Sequence, residues 1–213
     1  MSTTRTRTNG TATSTTASRI LDIAERLFAE RGYAAVSVRE IAGSVGVNQA
    51  SLYNHFPSKQ ALYEAVLERG LRPIGERLAE GATRLLTPEL GDRLIEELVD
   101  QLWRTPNLPK LIEREMLDDG EVFERLSERW LRPILDEAHR AMAAASAQTS
   151  WPADQLPLVL VGMYHLLFGF FTAGGLLHRV IGVDPQAPGM RAVQIEFLKE
   201  ASRRLMRPSG LRD

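Results

Sequence analysis

The chain has 213 residues, 44% of them hydrophobic, enough to fill the core of one large domain or two small ones. A formal charge of −1, with charged residues at 25%, carries no whole-chain basic excess, so any attraction to nucleic acid has to be local. With no cysteine, disulfide frameworks, thiolate nucleophiles and thiolate metal sites are excluded, and a Thr-, Ser- and Arg-rich N-terminus without an apolar stretch points to the cytoplasm, not to secretion.

Residues 1–17, MSTTRTRTNGTATSTTA, are polar, low in complexity and aperiodic, which predicts a disordered tail. Its Arg5 and Arg7 are unopposed by any acid before Asp22, which suits a solvated tail first and an arm reaching for phosphates or a minor groove second. From Ser18 the pattern turns helical, with Ile20, Ile23, Ala24, Leu27 and Phe28 on one face and Gly32 as the stop. Ser37 and Glu40 form a capping-box pattern ahead of a second, two-turn helix that buries Val38, Ile41, Ala42 and Val45. Gly46 supplies a sharp turn, and Asn48 caps a third helix that buries Leu52 and Phe56 and ends at Pro57. Ser58 caps the fourth, with Ala61, Leu62, Ala65, Val66 and Leu71 inward.

Beyond it, amphipathic patterns predict helices near 88–104, 108–117, 120–147, 153–181 and 188–206, with breaks at TPELG, RTPNLP, LDDG, SWPAD and GVDPQAPG. Pro73 and Pro133 lie inside helical patterns that each should kink or divide. No alternating strand pattern appears, so the expected fold is all-α, with about nine helices. The apolar stretch 156–177 raises a transmembrane reading. Pro157, His165 and breaks at Gly162, Gly169, Ala173, Gly174 and Gly175 favour instead a helix packed on one side into its domain and on the other into a second subunit. No membrane partner is expected.

Two short helices joined at Gly46 and preceded by a packing helix make a helix-turn-helix, whose second helix fits a major groove about 12 Å wide. On that helix Gln49 shares a face with Tyr53, and Ala50 with Asn54, opposite Leu52. Gln49 and Asn54 suit base edges, and Ala50 suits a thymine methyl. Ser37, Tyr53, His55 and Lys59 suit phosphates. From Ser18 to Lys59 there are five basic residues (Arg19, Arg26, Arg31, Arg39, Lys59) against four acidic (Asp22, Glu25, Glu30, Glu40), a net of only +1.

The segment RILDIAERLFAERGYAAVSVREIAGSVGVNQASLYNHFPSKQALYEAVLERG, with its LYNHFPSK hallmark, resembles the N-terminal domain of the TetR family of transcriptional regulators. The resemblance covers about Ser18 to Gly70, roughly a quarter of the chain. It implies base reading by Gln49, Ala50 and Asn54 and phosphate contact by Ser37, Tyr53, His55 and Lys59. It further implies an 18–64 DNA-binding domain, a 65–213 ligand-binding and dimerisation domain, and a fourth helix linking them mechanically. Gly70, Pro73 and Gly75 depart from the unbroken fourth helix of many relatives.

The C-terminal half shows no convergent catalytic or metal-binding set. His139, His165 and His178 stand apart from one another, and Glu113, Glu115, Asp118 and Asp119 read as a solvated acidic face. There is no nucleophile elbow and no phosphate-binding glycine loop. Trp103, Met116, Phe123, Trp130, Tyr164, His165 and Phe168 are the candidate lining of an apolar effector pocket. Gly169 and Ala173 allow close helix approach, and Val193 and Phe197 offer an apolar face; these four are the candidate dimer contacts.

The expectation is a homodimer that binds double-stranded DNA at a palindromic operator, without metal or cofactor. A small apolar or amphipathic effector would release it from the DNA. Activation in place of repression is the nearest alternative; a helical enzyme or a membrane-associated protein is more distant.

Overall fold

The computed structural model describes residues 10–81, 88–117, 121–133, 135–136, 140 and 151–205. Arg5, Arg7, Asp118, Asp119 and His139 lie outside the described residues. Among those described there are ten α-helices, one short 3₁₀ turn and no strand, so the protein is all-α. The chain divides into two compact units, Met1–Arg69 and Gly70–Asp213.

In the first unit, α1 (Gly10–Arg31) buries Ile20, Ala24, Leu27 and Phe28 and ends where the Gly32 amide, at φ 84°, donates to the Phe28 carbonyl at 2.8 Å. Here the structure corrects the disordered tail: residues 10–17 are helical. No proline interrupts them, and a helix fixed from Ile20 onward extends backward at the low cost of propagation. α2 (Val38–Val45) starts at Ser37, whose hydroxyl accepts the Glu40 amide at 3.2 Å, while the Glu40 carboxylate pairs with Arg31.

α2 ends at Gly46 in the left-handed region (φ 81°), where the Gly46 and Val47 amides each reach the Ala42 carbonyl at 3.0 Å. Arg19 donates to the Val45 carbonyl at 2.7 Å and closes the same end. α3 (Gln49–Tyr53) is capped by Asn48, which accepts the Ser51 amide at 2.7 Å. It is shorter than the eight residues its pattern predicts. Asn54 is its C-cap, the His55 and Phe56 amides both turn back to the Leu52 carbonyl, and Pro57 forbids a further helical turn.

α4 (Lys59–Gly81) opens on Ser58, which accepts the Ala61 amide at 3.0 Å, and buries Leu62, Val66, Leu67, Leu71 and Ile74. Pro73 does not divide it. The proline removes one amide, but buried Leu71 and Ile74 hold the helix on either side. Near Pro133, by contrast, the predicted 120–147 helix is divided: α7 (Glu121–Trp130) gives way to a turn at Leu131, after which residues 132–133, 135–136 and 140 are again helical.

In the second unit, α5 (Pro88–Arg104) lies antiparallel to the last helix, α10 (Met190–Leu205). Ile95, Val99 and Leu198 form their buried seam, and Asp92, Glu96 and Asp100 pair in reverse order with Arg203, Lys199 and Arg191. α6 (Leu108–Leu117) buries Leu108, Leu111 and Ile112. Leu108 packs so closely on Gly70 that a Cβ there would stand 2.5 Å from Leu108 Cδ1.

The predicted 153–181 helix is three elements: a 3₁₀ turn (Ala153–Gln155), α8 (Leu156–Thr172) and α9 (Gly174–Ile181), the last two bent by 68°. At the break Gly174 is buried and packs against Pro185, whose Cγ would stand 3.2 Å from a Cβ there. His165 and His178 therefore sit on different helices. Among the described residues no single helix is long and apolar enough to cross a membrane.

Candidate functional site

In the first unit, the turn after α1, the start of α2, the exposed side of α3 and the first residue of α4 border an open groove of about 460 Å³. Ser37, Arg39, Gln49, Tyr53 and Lys59 line it, with the Ala34–Val36 backbone as one wall. Each arrives through local chemistry already described. Ser37 lines the groove as the cap of α2, the Gly46 turn joins α2 to α3, and Ser58 starts α4 so that Lys59 stands on its first turn.

The polar groups keep donors free for an anion. The Ser37 oxygen already accepts the Glu40 amide, so its O–H remains to donate. Gln49 Nε2 donates to the Tyr53 hydroxyl at 3.4 Å, leaving the Tyr53 O–H available at the surface, where that residue is 41% exposed. Lys59 Nζ sits 4.3 Å over the Tyr33 ring and 3.5 Å from the Ala34 carbonyl, and burial lowers its pKa from the ordinary 10.5. Two helix N-termini, those of α2 and α4, open in the same region and add positive potential.

The groove thus gathers four of the seven predicted DNA residues: Ser37, Gln49, Tyr53 and Lys59. Ala50 and Asn54 are exposed on and at the end of α3, outside the groove lining. His55 is half-buried in the turn beyond, its ring 6.5 Å from that of Phe56. Arg39 was counted only as charge in the sequence, yet it lines the groove. Its place on α2, two residues past the Ser37 cap, is the signal that marks it.

In the second unit the candidate effector residues fall into separate groups. Tyr164 stacks on Phe168 at 4.6 Å, meets the His165 ring at 5.1 Å, and donates to Met116 Sδ at 3.5 Å. Burial, with help from Glu113, raises the Tyr164 phenol above its ordinary value. Trp103 lies 6.1 Å from both Phe170 and Phe171, and its Nε1 donates to Gln194 Oε1 at 2.8 Å. Trp130 packs against Gly75 with its buried Nε1 unpartnered, and the Phe123 amide donates to buried Glu115. Met116 and His165 are exposed. Of the candidate dimer residues, Gly169 and Ala173 are half-buried, Ala173 at the bend itself, whereas Val193 and Phe197 are 61% and 57% exposed.

Residues 20–66 match the family described as "Bacterial regulatory proteins, tetR family". An uncharacterized HTH-type transcriptional regulator of Mycobacterium tuberculosis, Rv1255c, is 32% identical over 129 residues, 55% of this chain and 62% of that one. This chain therefore spans about three fifths of that relative's length. The HTH-type transcriptional repressor KstR2 of Rhodococcus jostii is 50% identical over 48 residues, 22% of this chain and 24% of its own. The structure of Mycobacterium smegmatis AmtR superposes with a TM-score of 0.61 at 26% identity, covering 93% of this chain and 89% of that one. Residues 20–66 thus match the N-terminal segment of the TetR family, within a chain whose fold is similar to that of AmtR along most of its length.

Proposed function

We propose that the protein is a DNA-binding transcriptional repressor of the cytoplasm, acting as a homodimer on a palindromic operator and released by a small apolar or amphipathic effector. The observation that carries this reading is the groove in which Ser37, Arg39, Gln49, Tyr53 and Lys59 converge beside the exposed face of α3. Gln49, Ala50 and Asn54 read base edges, and Ser37, Tyr53, His55, Lys59 and Arg39 hold phosphates that set the register. The relative named a transcriptional repressor supports the direction of regulation.

The two-domain division, 18–64 for DNA and 65–213 for effector and dimer contacts, belongs to the same proposal. Leu158 and Val161 on α8, Leu176 and Val180 on α9, and Val193 and Phe197 on α10 are all more than half exposed, an apolar surface suited to a second copy. Two recognition helices then meet successive major grooves about 34–36 Å apart. Tyr164 and Phe168, stacked beside Met116 and His165, are the residues around which an apolar effector is proposed to bind, with a coupling of about 1–3 kcal/mol to DNA affinity.

Selection of bound duplexes from a random pool by the purified protein tests the reading. An enriched inverted repeat supports it; recovery of unselected sequence, or of none, overturns it.

A further inference from the structure

Resting on that reading, we propose that Tyr33 is a positioning residue for DNA binding: its ring face holds the Lys59 ammonium at the edge of the groove, aimed at a phosphate. Lys59 Nζ lies 4.3 Å over the Tyr33 ring centroid and 3.5 Å from the Ala34 carbonyl oxygen, so two directions around the ammonium are occupied by protein. An ammonium has three donors, and because Lys59 lines the groove, a donor not engaged by the Ala34 carbonyl can reach an anion bound there. A lysine stem is otherwise among the most mobile of side chains, and every rotamer frozen on binding lowers affinity.

The platform is itself fixed. Tyr33 lies 5.9 Å from Phe28 and 4.8 Å from Tyr63, and Phe28 meets Tyr63 edge-on at 5.0 Å, so the ring is tied to both α1 and α4. Phe28 is fully buried and Tyr63 is 3% exposed, whereas Tyr33 is 37% exposed and has Lys59 Nζ over its ring. Its geometry over a cation is one in which the ring quadrupole attracts the charge.

The test combines DNA titrations over a salt series, using a short mixed-sequence duplex, with NMR of the lysine side chain. Phosphate contact needs no operator, so the mixed duplex suffices. Tyr33→Leu is expected to weaken binding about two- to five-fold per protomer, the range of an exposed cation–π contact, and Tyr33→Phe, which keeps the ring, is expected to bind as wild type. Lys59→Met is expected to make the salt dependence shallower by about 0.9 per lost phosphate contact. In the Lys59→Met background Tyr33→Leu should cost nothing more.

An equal loss in both backgrounds assigns Tyr33 a purely structural role and overturns the proposal. The wild-type Lys59 ε-methylene protons should be shifted upfield by the ring. Their absence of shift overturns it independently of DNA and of whether Tyr33→Leu folds. A shifted Lys59 in a protein that binds no duplex overturns the DNA reading and, with it, the positioning role, leaving only the contact.

Discussion

The Arg69 guanidinium reaches Glu25 Oε2 at 2.6 Å, and the Glu25 side chain is only 12% exposed. The same guanidinium meets Asp22 Oδ1 at 2.6 Å, so one residue of α4 grips two consecutive turns of α1. Burial works against the Arg69 charge, but hydrogen bonds and attraction from Glu25 and Asp22 outweigh it and hold its pKa above the ordinary value. Arg69→Met is expected to lower stability by about 1–2 kcal/mol, because a mostly buried carboxylate loses a charged donor. Asp22→Asn should cost less than half of that, since Asp22 is 61% exposed. Urea midpoints of the two variants compare them directly.

Gln49→Ala is expected to leave overall duplex affinity within a few-fold while flattening preference at one base pair by about 1–3 kcal/mol. Tyr53→Ala should instead weaken binding to every sequence. Selection experiments repeated with each variant separate the two outcomes; an unchanged sequence preference for Gln49→Ala counts against base reading by that side chain.

Two glycine substitutions are predicted to fail for different reasons. Gly46→Ala meets no atom within 4 Å, so its cost of about 1–2 kcal/mol comes from the left-handed backbone alone. Gly70→Ala has ordinary helical geometry and gains about 1 kcal/mol of helix propensity. Its new Cβ, however, is forced to within 2.5 Å of a Leu108 side chain that is itself 2% exposed, and overpacking of about 1–3 kcal/mol exceeds the gain. In a Leu108→Ala background the Gly70→Ala penalty should vanish, whereas that of Gly46→Ala should persist.

Stability should fall on the alkaline side through two identifiable groups. Burial, then Glu113, raises the Tyr164 phenol above its ordinary 10.0, and hydrogen bonds to Glu96 and Glu196 raise Lys199 above 10.5. In both cases the native state keeps a proton that the unfolded chain releases first. Their contribution is therefore complete below pH 10 and is lost as pH rises through the folded values. Tyr164→Phe should show a smaller drop in urea midpoint between about pH 9 and about pH 11 than wild type does; an identical drop would remove Tyr164 from the account.

What could be read in the sequence was whatever local chemistry decides. Ser37, Gly46, Asn48 and Ser58 each set a helix boundary through a bond to a residue no more than four away, and those boundaries are where they were expected. The end of α3 was less legible, because Asn54 and His55 suit a helix and only the combined turn toward Leu52 ends it. The bend at Ala173 brings Gly174 against Pro185, twelve positions beyond the break, and a uniformly apolar stretch gives no hint of it. The Asp92–Arg203, Glu96–Lys199 and Asp100–Arg191 pairs span about a hundred residues each, and spacing along one helix cannot announce its partner. In the groove, side-chain type marked Gln49, Tyr53 and Lys59, but Tyr33 and Arg39 acquire meaning only from what folding brings beside them.

The brevity of α3 sets a limit on information. A helix of five residues presents three side chains to bases at most, and a three-base word recurs by chance about once in every 64 base pairs, against a genome offering on the order of a million competing positions. Two copies reading independently would double the word but still leave a match about every 4,000 base pairs. In the proposed dimer even that figure holds only while the distance is fixed, the separation at which two short words count as one. An alteration that loosens the registration between copies would erase as much of the message as one that changes a letter.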